Sequence, residues 1–288
     1  MAEFILEAQD VEFEYPDGTK ALKGVSLSIE KGKKIAILGS NGAGKSTLFL
    51  HFNGILRPKR GIVRFAGQDV RYNHSSLMEL RKKVGIVFQD PDSQLFSASV
   101  LQEISFGPLN LGLTEEQVLQ RVQQAMADTG ITELQNKPTH ALSYGQKKRV
   151  SIADILAMEP MVIICDEPTA WLDPKHTIQV MELLNGISQQ GTTVILSTHD
   201  VDIAYSWADY IFVMSDGKVV GEGVPERVFQ NESLLRQADL AKPWLIEIYH
   251  EFKQQGWLAK GVPVPRTKDE LLELLKRDTP GQALVASG

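Results

Sequence analysis

Short apolar runs of strand length alternate with helical stretches along most of the chain. Five of these runs are rich in β-branched residues, at 34–38, 84–88, 161–165, 193–197 and 210–214. The first run opens directly into a glycine-rich loop, and a helical stretch follows at 46–52. Alternation of this kind is typical of an α/β sheet, and it predicts that fold class for the core.

The pattern changes between Asp90 and about Ala141, where a helical insertion is predicted. Thr114 and Gln117 have the spacing of a capping box, in which two side chains satisfy the free backbone amides of a helix start. The helix that follows runs to about residue 129 and carries apolar residues on one face. These residues are Val118, Val122, Ala125 and Met126.

Two amphipathic stretches after about Leu235 predict a helical C-terminal segment. The first covers residues 244–253, and the second begins with Thr267 and Glu270, which also have capping-box spacing. From Asp278 onward the chain holds proline, glycine, alanine and serine, which predicts a frayed end.

Composition and charge narrow the functional classes. Hydrophobic residues make up 43% of the chain and charged residues 23%, which is ordinary for a globular protein. The single cysteine excludes a disulfide framework and fits a reducing cytosol. The net charge of -6 argues against nucleic acid as a partner, since a sequence-independent grip on it needs a basic surface. No signal peptide and no apolar run of the ~18 residues that span a membrane is recognisable.

The complete phosphate-loop pattern G-x-x-x-x-G-K-[ST] lies between the first predicted strand and its helix. Glycines let backbone amides point at a phosphate, and the helix start adds its positive dipole end. Lys45 is expected to reach the β- and γ-phosphates, and the Ser46 hydroxyl to coordinate Mg²⁺. A chance glycine-rich turn would lack this strand and helix, so nucleotide binding is predicted. The predicted binding residues are Gly39, Ser40, Asn41, Gly42, Ala43, Gly44, Lys45, Ser46 and Thr47.

The apolar run at 161–165 ends in two carboxylates, Asp166 and Glu167. At a strand end both side chains can face a nucleotide crevice. Asp166 is expected to support Mg²⁺, directly or through water, and Glu167 to polarise the attacking water as general base. An acidic turn after a buried strand is the alternative, and the phosphate loop makes it less favoured. Cys165 is interpreted as a small buried hydrophobe rather than a reactive thiol.

Two more polar residues follow predicted strands. His199 can hydrogen-bond a γ-phosphate and orient water, although a lone histidine is more often structural. Gln89 offers an amide oxygen to Mg²⁺ and an amide nitrogen to water. The predicted catalytic residues are Glu167, His199 and Gln89, and the predicted Mg²⁺ ligands are Ser46, Gln89 and Asp166.

The segment Leu-Ser-Tyr-Gly-Gln at 142–146 precedes a helix predicted over about 147–158. Alone it indicates only a helix N-cap. Its place between the helical insertion and the acidic strand changes the interpretation. With the phosphate loop, Gln89, the acidic pair, Asp173 and His199, it resembles the nucleotide-binding subunit of an ABC transporter, over residues 3 to about 235.

This resemblance implies a phosphate-loop NTPase core with an antiparallel β edge. It also implies a cassette at 3–235 with a helical subdomain at about 90–158, and a C-terminal helical extension at 236–288. The extension either helps to hold a dimer or covers the apolar surface of the cassette itself.

The resemblance also implies site residues and an ATP-driven mechanism. Tyr15 matches the aromatic residue that stacks on adenine. Two subunits pair head to tail, and they are either copies of this chain or homologues. Ser143, Gly145 and Gln146 would complete the ATP site of the partner, and Asp173 would link the two sites.

The chain departs from the family pattern at two positions near the expected dimer interface. The family usually has a second glycine at Tyr144, although tyrosine or phenylalanine occurs in its metal-uptake branch. Trp171 stands where a small residue is common. Glu167 and His199 are intact, which implies hydrolytic competence.

Residues 85–96 and 144–150 resemble the energy-coupling-factor ATPases, particularly the cobalt-uptake type. The resemblance implies an ATPase that powers an importer from the cytoplasmic face of the cell membrane. The loop from Gln89 to Phe96 would meet the transmembrane subunit. The six histidines are scattered without the spacing of a metal site, which fits an energy-providing subunit.

Two alternatives remain for the function. The same motor can serve nickel or vitamin uptake, or the chain can be a soluble ABC switch that acts on ribosomes or DNA. A single phosphate loop and the acidic balance argue against the switch. The basic clusters at 81–83 and 147–149 are interpreted as solvated faces.

Overall fold

The computed structural model describes residues 3–258 and 261–278, so the end predicted to fray lies mostly outside the described residues. A six-stranded sheet has the strand order β10-β9-β3-β8-β7-β6. Its neighbours are parallel except for the β9–β10 pair, which is antiparallel. The strands are β3 (Lys34–Leu38), β6 (Val84–Val87), β7 (Val162–Cys165), β8 (Thr193–Thr198), β9 (Tyr210–Ser215) and β10 (Lys218–Gly223). All five predicted runs are confirmed as strands of this sheet.

The inner strands of this sheet are buried on both faces, which explains why they read as continuous apolar runs. In β3, Ala36 and Leu38 belong to one hydrophobic cluster, whereas Ile35 and Ile37 belong to another. Successive side chains of a strand point to opposite faces. The two clusters therefore lie on opposite sides of the sheet.

A second sheet is antiparallel and has the order β2-β1-β4-β5. Its strands are β1 (Phe4–Glu14), β2 (Lys20–Glu30), β4 (Arg60–Phe65) and β5 (Gln68–Asp69). The apolar pattern did not predict it, and only the family resemblance implied an antiparallel edge, which is confirmed. Irregular register between Ala8 and Val11, with Asp10 at φ 48°, breaks the alternation of β1.

Helices α1 (Lys45–Phe52), α2 (His74–Lys83), α6 (Pro174–Gln189), α7 (Val201–Trp207) and α8 (Pro225–Gln230) pack against strands, and α9 (Glu232–Gln237) packs against α8. The insertion contains α3 (Val100–Asn110), α4 (Glu115–Asp128) and α5 (Tyr144–Leu156), which pack on one another. The apolar face predicted for α4 is buried in their shared core. No helix in the described part of the chain is long and apolar enough to cross a membrane.

Two capping boxes fix the helix starts of the insertion. The box at Thr114 and Gln117 is confirmed, since each side chain bonds the backbone amide of the other residue, at 3.3 and 3.0 Å. Ser143 and Gln146 form a second box at 3.3 and 3.0 Å. Because this box begins α5 at Tyr144, the helix starts about one turn earlier than the predicted residue 147.

The C-terminal segment contains α10 (Trp244–Gln254) and α11 (Lys268–Asp278). The capping box predicted at Thr267 is only half correct. Thr267 Oγ1 accepts from the Glu270 amide at 3.2 Å, but the Glu270 carboxylate accepts from the Arg266 amide instead. Leu245 and Leu271 lie in the same hydrophobic cluster as residues of the six-stranded sheet. The segment is therefore packed on the core.

Candidate functional site

Four predicted site segments meet at one edge of the six-stranded sheet. The parallel strands β3, β8, β7 and β6 are neighbours in that order, so their carboxyl ends lie side by side. These ends lead into Gly39, His199, Asp166 and Gln89 respectively. A crevice at the carboxyl ends of parallel strands is the usual ligand site of such sheets.

The loop after β3 leaves the first amides of α1 free for an anion. Gly44 is the N-cap residue of α1, with φ 100° and no side-chain cap. A Cβ atom at this position would lie 2.6 Å from the Ala21 carbonyl oxygen, so glycine is required. Uncapped amides at a helix start bind phosphate well.

Lys45 lies over this loop with its side chain only 6% exposed. Its Nζ donates to the Gly39 carbonyl at 2.7 Å and to the Ser40 carbonyl at 3.3 Å. The same atom is 3.6 Å from Glu167 Oε1. The loop therefore holds a buried positive charge beside a buried carboxylate.

Glu167 is held in a specific orientation. Its backbone has φ 45°, which is uncommon for a residue with a side chain, and its amide donates to Ser197 Oγ at 2.9 Å. Oε2 lies 3.1 Å from Nδ1 of His199, whose side chain is 67% exposed. Oε1 is buried without a hydrogen-bond partner. A buried acceptor of this kind keeps a lone pair that is free to accept a hydrogen bond.

Asp166 and Glu167 are linked through Ser197, which the sequence analysis missed. Ser197 Oγ donates to Asp166 Oδ1 at 2.5 Å and accepts the amide of Glu167. The feature that could have indicated this role is a hydroxyl residue inside a fully buried strand. Cys165, next to this pair, is completely buried, and burial raises the pKa of its thiol to about 12. The interpretation of Cys165 as a buried hydrophobe is confirmed.

Gln89 is contacted by α5, which corrects the interpretation of residues 147–149 as a solvated face. Lys148 is fully buried, and its Nζ donates to the carbonyls of Gln89 at 2.6 Å and Phe88 at 3.1 Å. The Tyr144 hydroxyl also donates to the Gln89 carbonyl, at 3.1 Å. Burial lowers the pKa of Lys148 to about 8. The helical spacing of Lys148 from the buried residues Gly145 and Ile152 could have indicated this.

Tyr15 lies beside the start of α1. Its Oη is 3.0 Å from Thr47 Oγ1, and its ring packs edge-to-face on Phe13 with a centroid distance of 5.0 Å. The structure thus brings Tyr15 to the phosphate loop, although 32 residues separate it from Thr47.

Ser143, Gly145, Gln146 and Asp173 are not joined to the phosphate loop by any hydrogen bond or ion pair among the described residues. They form a separate group at the starts of α5 and α6. A Cβ atom at Gly145 would lie 2.8 Å from the His176 ring. Asp173 caps α6 and contacts Nδ1 of His176 at 2.6 Å. The hydrogen bond from the His176 amide lowers the pKa of Asp173.

Comparison with known proteins identifies the family. The sequence profile of the ABC transporter family matches residues 22–170. The chain is 51% identical over 251 residues to the energy-coupling factor transporter ATP-binding protein EcfA of Methanocaldococcus jannaschii, covering 86% of this chain and 90% of that protein. It is 48% identical to a putative ABC transporter ATP-binding protein of Methanosarcina mazei. That match covers 94% of this chain but only 60% of the relative.

Solved structures give the same result. CbiO1 of Clostridium perfringens, part of the ABC transporter complex CbiONQ, is 47% identical with a TM-score of 0.74, covering 87% of this chain and 99% of CbiO1. A dimeric ATP-binding cassette bound to ADP and Pi in a post-hydrolysis state is 28% identical with a TM-score of 0.70, covering 77% and 99%. The chain therefore belongs to the ABC transporter family of ATPases, and within it to the ATP-binding subunits of energy-coupling factor importers.

Proposed function

We propose that this chain hydrolyses ATP to drive a cobalt importer, as one half of a head-to-tail pair of ATPase subunits. The observation that carries the hydrolytic part is the buried carboxylate of Glu167. One of its oxygens is held by His199, and the other has no hydrogen-bond partner and lies 3.6 Å from the Lys45 ammonium.

ATP binding depends on the loop and on Lys45. The phosphates would accept hydrogen bonds from the free amides at the start of α1, and Lys45 would exchange its bonds to the loop carbonyls for bonds to phosphate oxygens. The position of Tyr15 beside Thr47 supports its role in stacking on the adenine.

Hydrolysis converts ATP and water to ADP and phosphate. Glu167 would accept a proton from the attacking water through Oε1, since this oxygen is unpartnered. His199 would hold Oε2 of Glu167 with one edge of its ring and contact the γ-phosphate with the other edge. Because Ser197 fixes Asp166 and the Glu167 amide together, the two carboxylates keep their relative positions.

Mg²⁺ fits the residues of this site. Ser46, Gln89 and Asp166 would hold it, because hydroxyl, amide and carboxylate oxygens are the donors that a hard divalent cation prefers. When bound, Mg²⁺ neutralises phosphate charge. Gln89 would also orient the attacking water through its amide nitrogen.

The second group of site residues supports pairing of two subunits. Ser143, Gly145 and Gln146 lie at the start of α5, so their backbone amides and the helix dipole can stabilise the γ-phosphate bound by the partner. Asp173, 57% exposed at the start of α6, would link the two sites. The dimeric form of a structural neighbour supports this arrangement.

The cassette at 3–235, with its helical subdomain at about 90–158, would dock on a transmembrane subunit at the cytoplasmic face of the membrane. An exposed aromatic pair supports this. Phe96 is 67% exposed and Phe106 50% exposed, and their rings pack edge-to-face at 5.0 Å. Two residues of the extension at 236–288, Leu245 and Leu271, belong to the hydrophobic cluster of the six-stranded sheet, which supports a role in covering apolar surface of the cassette. The extension would also help to hold the dimer.

Cobalt is the cargo favoured by the resemblance of residues 85–96 and 144–150 to the cobalt-uptake type, and the chain is also 47% identical to CbiO1, part of the ABC transporter complex CbiONQ. Nickel or a vitamin would use the same motor with another membrane partner. A soluble switch that acts on ribosomes or DNA is less favoured, since the chain has a net charge of -6.

The test is transport in vesicles that contain the chain and the transmembrane subunit that copurifies with it. Lys45→Ala is expected to abolish both ATP hydrolysis and uptake of radiolabelled Co²⁺. Lys31→Ala, which removes an exposed lysine, is the matched control. Uptake that is unaffected by Lys45→Ala contradicts the proposal. ATP-driven uptake of Ni²⁺ or a vitamin instead of Co²⁺ identifies the alternative cargo, and recovery with bound RNA and no membrane partner indicates the switch.

A further inference from the structure

The carbonyl oxygen of Gln89 is held by two side chains of α5. Tyr144 Oη donates to it at 3.1 Å, and Lys148 Nζ donates to it at 2.6 Å. A carbonyl oxygen has two lone pairs, so both acceptor positions are used. Lys148 also binds the Phe88 carbonyl, at 3.1 Å. The backbone at the end of β6 is therefore fixed by the first turns of α5.

Burial of the Lys148 ammonium group is energetically unfavourable. Its side chain is fully buried, and no carboxylate lies within 4.0 Å of Nζ among the described residues. Burying an ammonium group that has no carboxylate in direct contact costs free energy, and the more distant charges of Asp166 and Asp90 offset only part of this cost. A methionine would fill similar space without this cost. The hydrogen bonds that only the ammonium makes are those to the Phe88 and Gln89 carbonyls.

Further contacts connect the Gln89 segment with α5. Lys147 Nζ pairs with Asp92 at 2.5 Å. The side chain of Gln94 accepts from the Phe88 amide at 3.2 Å and donates to the Ser151 carbonyl at 3.0 Å. These bonds connect residues 88–94 with two successive turns of the helix.

Tyr144 is itself fixed from both sides. Its ring packs edge-to-face on Trp171, with a centroid distance of 5.8 Å, and Lys148 Nζ lies 5.9 Å from the ring centroid. A glycine at residue 144 could make neither the ring contacts nor the bond to Gln89. The two departures from the family pattern, Tyr144 and Trp171, are thus in contact with each other.

We propose that Tyr144 and Lys148 are positioning residues that couple the two ATP sites of the dimer. The start of α5 would receive the ATP of the partner, whereas Gln89 serves the ATP of its own subunit. When the partner's nucleotide docks on Ser143, the movement of α5 would reach Gln89 through the two bonds to its carbonyl. The coupling rests on the proposed function, because it requires the pairing of two subunits.

Two conservative variants test this coupling. Tyr144→Phe removes only the hydroxyl, and Lys148→Met removes only the charge and its bonds. Each is expected to lower kcat about three- to tenfold with an unchanged KM for ATP, and to bring the Hill coefficient for ATP toward one. Because both residues hold the same carbonyl, the double variant should lose less than the product of the single losses. Tyr72→Phe is the control, since that hydroxyl is buried without a partner.

Hydrogen exchange provides a readout independent of turnover. In the Glu167→Gln background with ATP, light scattering reports the dimer and mass spectrometry reports exchange of the amides at 84–96. We expect protection of this segment on dimer formation, and loss of that protection in a Tyr144→Phe dimer. Equal protection and an unchanged Hill coefficient in a Tyr144→Phe dimer overturn the coupling alone. Failure of the Glu167→Gln parent to dimerise overturns the proposed pairing of two copies of this chain, and the coupling between them with it.

Discussion

At the scale of single residues, Asp154 on α5 carries a carboxyl group in an environment that disfavours its charge. Burial, together with the nearby and fully buried Glu103, raises the pKa of Asp154 to about 7. The Gln94 amide, which donates to Asp154 at 3.3 Å, offsets only part of this. The folded chain therefore binds a proton that the unfolded chain has released between pH ~4 and ~7.

This pKa shift makes folding stability fall as pH rises from about 4 to 7. We expect Asp154→Asn to remove that share of the pH dependence, because the amide keeps the shape and stays neutral. At pH 8 the variant should melt about 2–4 °C higher, the shift for roughly 1 kcal/mol in a chain of this size. Thermal unfolding at pH 5 and pH 8 measures the effect, with the exposed Asp128→Asn as control. Equal pH dependence of the melting temperature in Asp154→Asn and the parent contradicts this assignment.

Site residues were predictable from the sequence where the chemistry fixes the residue type and spacing. Lys45, Glu167 and His199 follow that rule, and the fold brings them into contact. Ser197 and Lys148 could not be assigned to the site from the sequence, because the buried strand around Ser197 and the helical spacing of Lys148 indicate burial but not which groups they bind. Their partners come from segments about 30 and 60 residues away, which local patterns cannot show.

At the scale of elements, Arg266 attaches the C-terminal segment to the end of α7. Its guanidinium donates to the Tyr205 carbonyl at 3.0 and 2.7 Å, and also to the Ala208 carbonyl. It lies 3.5 Å from a Glu226 carboxylate oxygen. Carbonyls of a final helical turn lack partners within the helix, and a cation there also complements the helix dipole.

We expect Arg266→Ala to destabilise the chain by about 1–3 kcal/mol, since charge-assisted bonds are lost and two carbonyls lose a partner. Arg266→Lys should recover part of this, because a lysine keeps the charge but not the fork of donors. Denaturant unfolding measures the loss. Arg236→Ala, at a 75% exposed arginine in a surface ion pair, is the control and should change little. Equal losses in the two alanine variants exclude a role of Arg266 at α7.

The strands that could be predicted from the apolar pattern are the ones that are buried on both faces. Strands β3 and β7 are buried on both faces and have no polar interruption. The five apolar runs predicted five of the six strands of the six-stranded sheet to within one residue at each end, whereas the partly exposed β10 was not predicted. The apolar pattern does not predict strand β1, because its pairing register shifts and Asp10 interrupts the alternation of apolar and polar residues. The antiparallel sheet therefore could not be predicted from the apolar pattern, since its strands are stabilised more by pairing with one another than by their local sequence.

At the scale of the whole molecule, the exposed pair Phe96 and Phe106 belongs to the surface that we expect to meet the membrane subunit. Phe96→Ser with Phe106→Ser should abolish copurification with that subunit and leave ATP binding intact, because both side chains are surface-exposed. Leu119→Ser is the matched control, since Leu119 is 52% exposed on α4 of the same insertion. Copurification of the double serine variant at the level of the control would place the docking surface elsewhere.

The central claim is that two subunits close around ATP and that Glu167 ends this state by hydrolysis. The most direct measurement is the molar mass of Glu167→Gln in solution, by light scattering after size exclusion, with ATP and Mg²⁺. A stable dimer of 2 × 32.0 kDa, or about 64 kDa, is expected, since the variant binds ATP but cannot cleave it. Glu159→Gln, at an exposed surface residue, should give no stable dimer. A Glu167→Gln chain that binds ATP and yet remains at 32.0 kDa would contradict the closure of two copies of this chain around ATP.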